Sequence, residues 1–374
     1  MSPARTVTLA DIAEHVGVSK ATVARAISAK GYVADDVRLR IEQAASDLGY
    51  RPNLVAKGFR AKRSYTIGHI VRGTIENPFF GHVARSIELE ALKHGYKVFL
   101  YNQDGSAEHE REGVERFIER RVDAVIFTYA QGADNIQLLV DEAIPVVQIE
   151  RDQRGKAHTV FVDNRAGAEL GMRHLLDLGH RRIAFIGGDP DLCSRSYSRP
   201  RSVEEERLDA YRETLTSAGI DIDDALIQLG PYLMPGERGE NAAGYGPMEA
   251  LLALDERPTA VFTGCDLMAT GALQCLYKAG LRIPDDMSVV GFDDTVATYL
   301  SPMLTTVAQP MQEVGARAVE FALAAIDDPD VEPRSIMLTP KLVVRDSTGP
   351  VSPASGTTRR KTRASTRVDS ETQT

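Results

Sequence analysis

The chain contains no tryptophan and only three cysteines, Cys193, Cys265 and Cys275, among 374 residues. They lie far apart, with no C-x-x-C pair and no histidine at metal-ligand spacing. That excludes a disulfide scaffold and a zinc ribbon, fits a reducing compartment, and leaves no metal or cofactor to expect. No apolar run approaches the roughly 20 residues of a membrane span. The opening MSPARTVTLADIAEH is too polar for a signal peptide. The expected location is therefore the cytoplasm, with no membrane partner. Also missing are a G-x-S-x-G elbow, a G-x-x-x-x-G-K-[ST] loop and a G-x-G-x-x-G after the first strand. No acidic pair is spaced for acid–base work, so the sequence offers nothing that reads as an enzyme.

What is present is unevenly charged. The formal charge is −9, yet residues 1–63 hold 11 Lys/Arg against 6 Asp/Glu, and residues 351–374 hold 5 against 2. A cationic head on an acidic body places phosphate contact at the N-terminus.

The head has its own pattern. In VTLADIAEHVGVSKATVARAIS, Thr8 and Asp11 form a capping box that opens a helix over about 9–16, and Gly17 ends it. Ser19 caps a second helix over about 20–28. Leu9, Ile12, Ala13 and Val16 share one face; Val23, Ala26 and Ile27 share another, so the helices can pair. Ala21, Thr22, Arg25 and Ser28 then face outward, with Lys20 at the helix start. A short helix with a polar, cationic outer face suits the DNA major groove, where guanine offers acceptors to arginine. A third helix follows, from the spacing of Val37, Ile41, Ala44, Ala45 and Leu48; its Arg38 and Arg40 fit either phosphate contact or solvent. In the basic stretch that comes next, Asn53 can cap a short helix and Phe59 is an apolar side chain among cations, suited to wedging a minor-groove step or to packing on the body.

From Tyr65 onward, apolar strands alternate with amphipathic helices. Strands are expected at 66–71, 97–101, 123–128, 145–149, 159–162, 182–187, 259–263 and 288–292, and helices at about 79–94, 109–121, 165–178 and 266–279. That alternation implies α/β architecture with parallel sheets, and so many strands imply two doubly wound lobes. The final VSPASGTTRRKTRASTRVDSETQT lacks apolar periodicity and reads as a disordered tail.

VTLADIAEHVGVSKATVARAIS, LGYRPNLVAKGF, SYTIGHIV, NPFF, LGHRRIAFIGG, PTAVFTGCD and IPDDMSVVGFDD, in that order, resemble the lactose-repressor (LacI/GalR) family of transcription regulators over roughly residues 6–346. The resemblance implies a three-helix helix-turn-helix head (1–52), a hinge (53–64), a body of two lobes of periplasmic-binding-protein type (65–346) and a tail (347–374). It implies three chain crossings between the lobes, expected near Asp163–Asn164, near Asp293–Asp294 and around 322–326. It further implies a homodimer on a pseudo-palindromic operator, with Thr8, Ser19, Lys20, Ala21, Thr22, Arg25, Ser28, Tyr32, Asn53, Lys57 and Phe59 toward DNA. Ala24, Ser28, Gly58 and Phe59 depart from the family's usual Ser, Asn, Ser and Leu.

A small-molecule effector, expected to be a sugar or sugar derivative, would lie between the lobes, with Asn77, Phe80, Asp163, Arg207 and Asp266 toward it. Asp266 follows a strand, where ligands sit in open α/β sheets, although a helix cap reads equally well there. Asp163 lies at a crossing, with a turn role as its alternative. The loops 189–206 and 231–247 are expanded and should border the ligand lobe; Arg195, Arg199 and Arg201 there fit an anionic effector or a solvated loop alike. Repression of carbohydrate-use genes is the expected function. A purine or other non-sugar effector, and a solute-binding role without transcription, are the competing readings.

Overall fold

A computed structural model of the chain describes residues 7–28, 31–50, 63–73, 77–152, 157–192, 201–231 and 243–352. Asn53, Lys57, Gly58, Phe59, Cys193, Arg195, Arg199 and the tail from residue 353 lie outside these. The chain divides into two units, residues 1–64 and 65–374.

In the first unit, α1 (Leu9–Val16), α2 (Lys20–Ser28) and α3 (Asp35–Asp47) enclose a small core of Ile12, Val16, Val23, Ala26 and Ile41. The Thr8 hydroxyl accepts from the amides of Ala10 and Asp11, and Asp11 accepts from the Thr8 amide at 2.7 Å, so the capping box forms as read. Gly17 adopts φ 75°, a left-handed conformation that costs a side-chain-bearing residue about 1 kcal/mol or more. Ser19 Oγ accepts from the Thr22 amide at 3.1 Å, starting α2. Arg38 and Arg40 both have partners within the head. Arg40 Nη2 donates to the carbonyl of Val16 at 2.8 Å, and Arg38 Nη1 donates to that of Ala26 at 3.4 Å. Helix ends leave carbonyls without partners, and these two guanidiniums satisfy them.

The second unit holds two six-stranded sheets. In chain order its elements are β1 (Thr66–Val71), α4 (Pro78–Lys93), β2 (Lys97–Asn102), α5 (Ala107–Glu119), β3 (Ala124–Thr128), α6 (Ala133–Asp141), β4 (Val146–Ile149) and β5 (His158–Val162). There follow α7 (Asn164–Asp177), β6 (Ile183–Gly188), α8 (Val203–Ser217), β7 (Ile227–Gly230), α9 (Tyr245–Leu252), β8 (Ala260–Thr263), α10 (Asp266–Lys278), β9 (Ser288–Asp293) and β10 (Thr305–Ala308). The last are α11 (Met311–Asp327), β11 (Ser335–Leu338) and β12 (Lys341–Val343). The first sheet runs β11-β5-β4-β3-β1-β2, all parallel; the second runs β12-β10-β9-β8-β6-β7, with only β12 antiparallel. Strand runs such as AVIFT and SVVGFD are buried along their whole length, as a sheet covered on both faces requires.

The chain leaves the first sheet between β5 and α7, at Asp163–Asn164, as expected. The other two crossings lie elsewhere. Asp293 ends β9, but the chain stays in the second sheet through β10 and returns at Gln309–Pro310. Residues 322–326 sit inside α11, whose Val314, Ala318, Phe321 and Ala322 pack into the first lobe's core. The last crossing is at residues 339–340, between β11 and β12. Short strands β10, β11 and β12 hid this path, because four or fewer residues carry almost no periodicity.

The folded body also extends beyond residue 346, into what reads as tail. Ser347 is buried, its hydroxyl donating to the Val289 carbonyl at 2.6 Å and accepting from the Thr305 amide at 2.8 Å. His180 Nε2 lies 3.0 Å from the Gly349 carbonyl, and the Val351 amide donates to Leu178 O. No helix among the described residues is long and apolar enough to cross a membrane.

Candidate functional site

Two places carry the functional side chains. On the head, Lys20, Ala21 and Arg25 are exposed on α2, Thr22 is half-buried, and Tyr32 is 89% exposed. Arg25 Nε donates to Ala21 O at 3.3 Å, which lays its stem along the helix. Thr22 shares a 2.8 Å hydrogen bond with Ser19, so both hydroxyls also hold the helix start. Ser28 closes α2, and Thr8 caps α1.

The second place is a cavity of about 140 Å³ between the carboxyl ends of the two sheets. Its walls follow from the winding. In each sheet the strand order reverses between adjacent strands, β1 with β3 and β6 with β8, and the loops leaving those strands part to open a crevice. The residues just past the strands line it: Arg72 after β1, Tyr129 after β3, Glu150 after β4, Asp189 after β6, Cys265 after β8, Asp293 at the end of β9 and Gln309 after β10. Asn77, Phe79 and Phe80 enter from the start of α4, and Val203, Glu204 and Arg207 from α8.

Arg207 is the centre of the polar wall. It is 5% exposed, its Nε and Nη2 donate to Asn164 Oδ1 at 3.0 and 2.7 Å, and Nη1 donates to the Gly264 carbonyl at 2.5 Å. Its guanidinium lies 3.8 Å from the centre of the Phe292 ring. Asn164 in turn donates to Glu150 at 3.3 Å, so the side chain at the crossing ties both lobes' charges together. Asp293 is buried, and burial pushes its carboxyl up to about 8 despite the opposing effect of Arg207. Gln309 Nε2 donates to Asp293 Oδ1 at 2.6 Å. From the first lobe, Phe80 meets Tyr129 edge to face at 6.2 Å, giving the cavity an aromatic side.

Arg207, Asn77 and Phe80 thus stand where the sequence placed them, at the cavity. Asn77 is also the N-cap of α4, accepting from the Phe79 amide at 3.0 Å. Asp163 is not a cavity residue; it caps α7, accepting from the Ala166 amide at 2.9 Å, and the turn reading holds there. Asp266 is not one either. It is fully buried at the start of α10, accepting from Thr306 Oγ1 at 2.6 Å and the Thr295 amide at 2.7 Å. A side chain at Gly291 would meet it at 2.4 Å, so its pocket is already full. Burial raises its carboxyl to about 6. The carboxylate at the cavity is Asp293, in the GFDD motif. Glu150, Cys265 and Gln309 were likewise missed, although each lies one or two residues past an expected strand or a short one. Leu192 and Pro231, at the edges of the two expanded loops, both line the cavity. Arg201, between them in sequence, pairs with Asp209 at 3.3 Å.

A helix-turn-helix unit in the same chain as a two-lobed body around a cavity lined by aromatic and charged side chains defines a ligand-responsive DNA-binding regulator. Residues 8–53 match the bacterial regulatory proteins of the lacI family, and residues 172–348 match the periplasmic binding protein-like domain. The chain belongs to the LacI family. It is 30% identical over 344 residues to the ribose operon repressor of Escherichia coli K12, covering 91% of this chain and 99% of that protein. The lac repressor dimer bound to operator and the anti-inducer ONPF superposes with a TM-score of 0.74 at 26% identity, covering 92% of this chain and all of that one. A LacI family regulator from Enterococcus faecium with bound ribose gives 0.64 at 30% identity, covering 77% and 100%.

Proposed function

We propose that the chain is a homodimeric repressor of carbohydrate-use genes, working in the cytoplasm without catalysis, whose grip on an operator is set by a sugar held in the cleft. The observation that carries this reading is the cavity itself. It joins an aromatic wall to carboxyl and amide groups, with Arg207 holding the polar side in place, and that combination suits hydroxyls on a ring. Relatives that bind ribose and repress a ribose operon support it. On the head, Lys20, Ala21 and Arg25 would meet base edges, Thr8, Ser19, Thr22, Ser28 and Tyr32 would meet bases or backbone, and Asn53, Lys57 and Phe59 of the hinge would reach the minor groove.

A dimer is supported by apolar side chains left open on one edge of the first lobe: Phe99 and Leu100 on edge strand β2, 40% and 50% exposed, with Leu92 of α4 at 65%. Bare strand edges and apolar patches of this kind are covered in stable proteins. One head covers too few base pairs for genomic selectivity, which two heads on a near-palindrome supply. The sugar acts only through different affinities for the operator-binding and operator-releasing arrangements.

The test is selection of a duplex from a randomised pool by the full chain, followed by release titrations with unmodified sugars. A selected palindrome released or retained by one sugar is the expected result. No preference for any duplex over random competitor, with or without sugars, would refute the reading.

A further inference from the structure

Each lobe buries a charge at the cleft, and the two charges face each other. Arg151 lies just past β4 in the first lobe, and Glu204 in the first turn of α8 in the second. Both are 2% exposed, and Arg151 Nη2 lies 3.7 Å from Glu204 Oε2. On its own side, Arg151 donates to the Tyr129 hydroxyl and lies 3.3 Å from the centre of that ring, so the first lobe fixes where the guanidinium points. Glu204 is held less firmly. Its Oε2 accepts no hydrogen bond, and Arg151 is the cation beside it. The start of a helix favours a carboxylate, but that effect is small beside the cost of desolvating a full charge.

The other polar tie between the lobes differs in kind. Asn164, which bonds Glu150 on one side and Arg207 on the other, sits at a chain crossing and so at the hinge itself. Arg151 and Glu204 lie on elements that no crossing joins. They meet when the lobes come together and part when the lobes separate. Burying one such charge without the other is costly, whereas the pair, or two apolar side chains of similar size in its place, is tolerated.

We propose that Arg151 and Glu204 form a charge-matched latch across the cleft: each permits the other's burial, so the lobes stand shut with no effector bound. An effector then acts on an equilibrium that the chain's own side chains have already set. The latch holds whatever the effector is.

Cys265 can report on it. This thiol lines the cavity, is 2% exposed, and is pushed up to about 12 by burial. Cys275, within α10, is buried in the second lobe's core and is not a lining residue. Opening of the cleft bares the first thiol alone, whereas unfolding bares both.

The test treats the full-length chain, without effector, with N-ethylmaleimide. Modification of each cysteine is followed by peptide mass spectrometry in wild type, Arg151→Met, Glu204→Gln and the double variant Arg151→Met/Glu204→Leu. In wild type both thiols should react at similarly slow rates. Arg151→Met strands the buried carboxylate and should speed Cys265 by about 10-fold or more, with Cys275 unchanged. Glu204→Gln should do so by less, because Arg151 keeps Tyr129. The double variant has no charge left to strand and should return to within about threefold of wild type. Cys265 as slow in Arg151→Met as in wild type overturns the proposal, and so does a double variant as reactive as Arg151→Met. A wild type in which Cys265 reacts about 10-fold or more faster than Cys275 overturns it too, since burial of the pair would then not keep the cleft shut. Where a single variant unfolds, with Cys275 speeding in step, the double variant decides: a protected Cys265 supports the latch and a reactive one overturns it.

Discussion

The outer face of α2 and the cavity of the body are built on opposite terms. On the head, Lys20, Ala21 and Arg25 are exposed, and the three-helix core beneath them closes without their tips. In the cavity, Arg207, Asp293, Glu204 and Gln309 are each less than a tenth exposed, and most of them hold one another or the backbone. A residue of the first kind can change what is recognised while the fold stays as it was. A residue of the second kind cannot be altered for recognition without altering stability, because burial makes every lost partner expensive.

The largest effect should come from Arg207→Ala. It strips Asn164 and the Gly264 carbonyl of their donors, at a cost of about 1.5–3 kcal/mol for each buried hydrogen bond to a charged group. Urea unfolding should show the loss, and ligand binding should vanish with it. Full stability with loss of the ligand alone would show that the cavity is not built as described.

Next is the pH profile. Asp293 rises from 3.8 to about 8 on folding, so between these values the folded chain binds a proton that the unfolded chain has released. Stability on this account is complete below pH 4 and is lost as pH climbs through about 8; Asp266, raised to about 6, adds to the lower part of the window. Asp293→Asn should flatten the upper part of the curve of urea midpoint against pH. An unchanged slope in that variant would place the proton elsewhere.

Asp266→Ala follows in size. The sequence alone favours loss of ligand response for this substitution, with DNA binding kept. The structure predicts instead a stability loss of about 1.5–3 kcal/mol, the scale for a buried hydrogen bond to a charged group, from the stranded Thr306 hydroxyl and Thr295 amide. Ligand affinity measured well below the unfolding transition should change less than the melting temperature does.

The same contrast explains what is legible in the sequence. Helix caps and 3.6-residue spacing are local, so Thr8, Gly17 and Ser19 suffice to define which face of α2 turns outward. The long strands of both sheets are legible for the same reason. The cavity assembles from single residues beyond seven strands, and the register that brings them together is not local. Asp266 and Asp293 both sit at strand ends; only the packing of Thr295, Thr306 and Gly291 around Asp266 tells them apart. Helix α8 escapes a reading by pattern because its buried face carries Glu204 and Arg207, which break the apolar stripe that marks a buried helix. The rule that ligands meet the residue just after each strand points to Asp266, yet it equally covers Tyr129, Glu150 and Cys265.

The smallest expected effects sharpen the comparison inside the head, where two arginines on neighbouring helices differ in their partners. Arg40 donates to the last carbonyl of α1, so Arg40→Ala should cost about 1 kcal/mol of stability and leave base preference as it is. Arg25 is exposed on α2, and its Nε donates to Ala21 O along its own helix. Arg25→Ala should keep the unfolding midpoint and relax selection at one operator position by about 1–3 kcal/mol, the worth of a two-bonded arginine–guanine contact. Parallel urea titrations and randomised-site selections on the two variants decide the matter. If Arg25→Ala unfolds the head while Arg40→Ala shifts the selected sequence, the assignment of the reading face to α2 is wrong, because the residue holding the helices together would then be the one facing the bases.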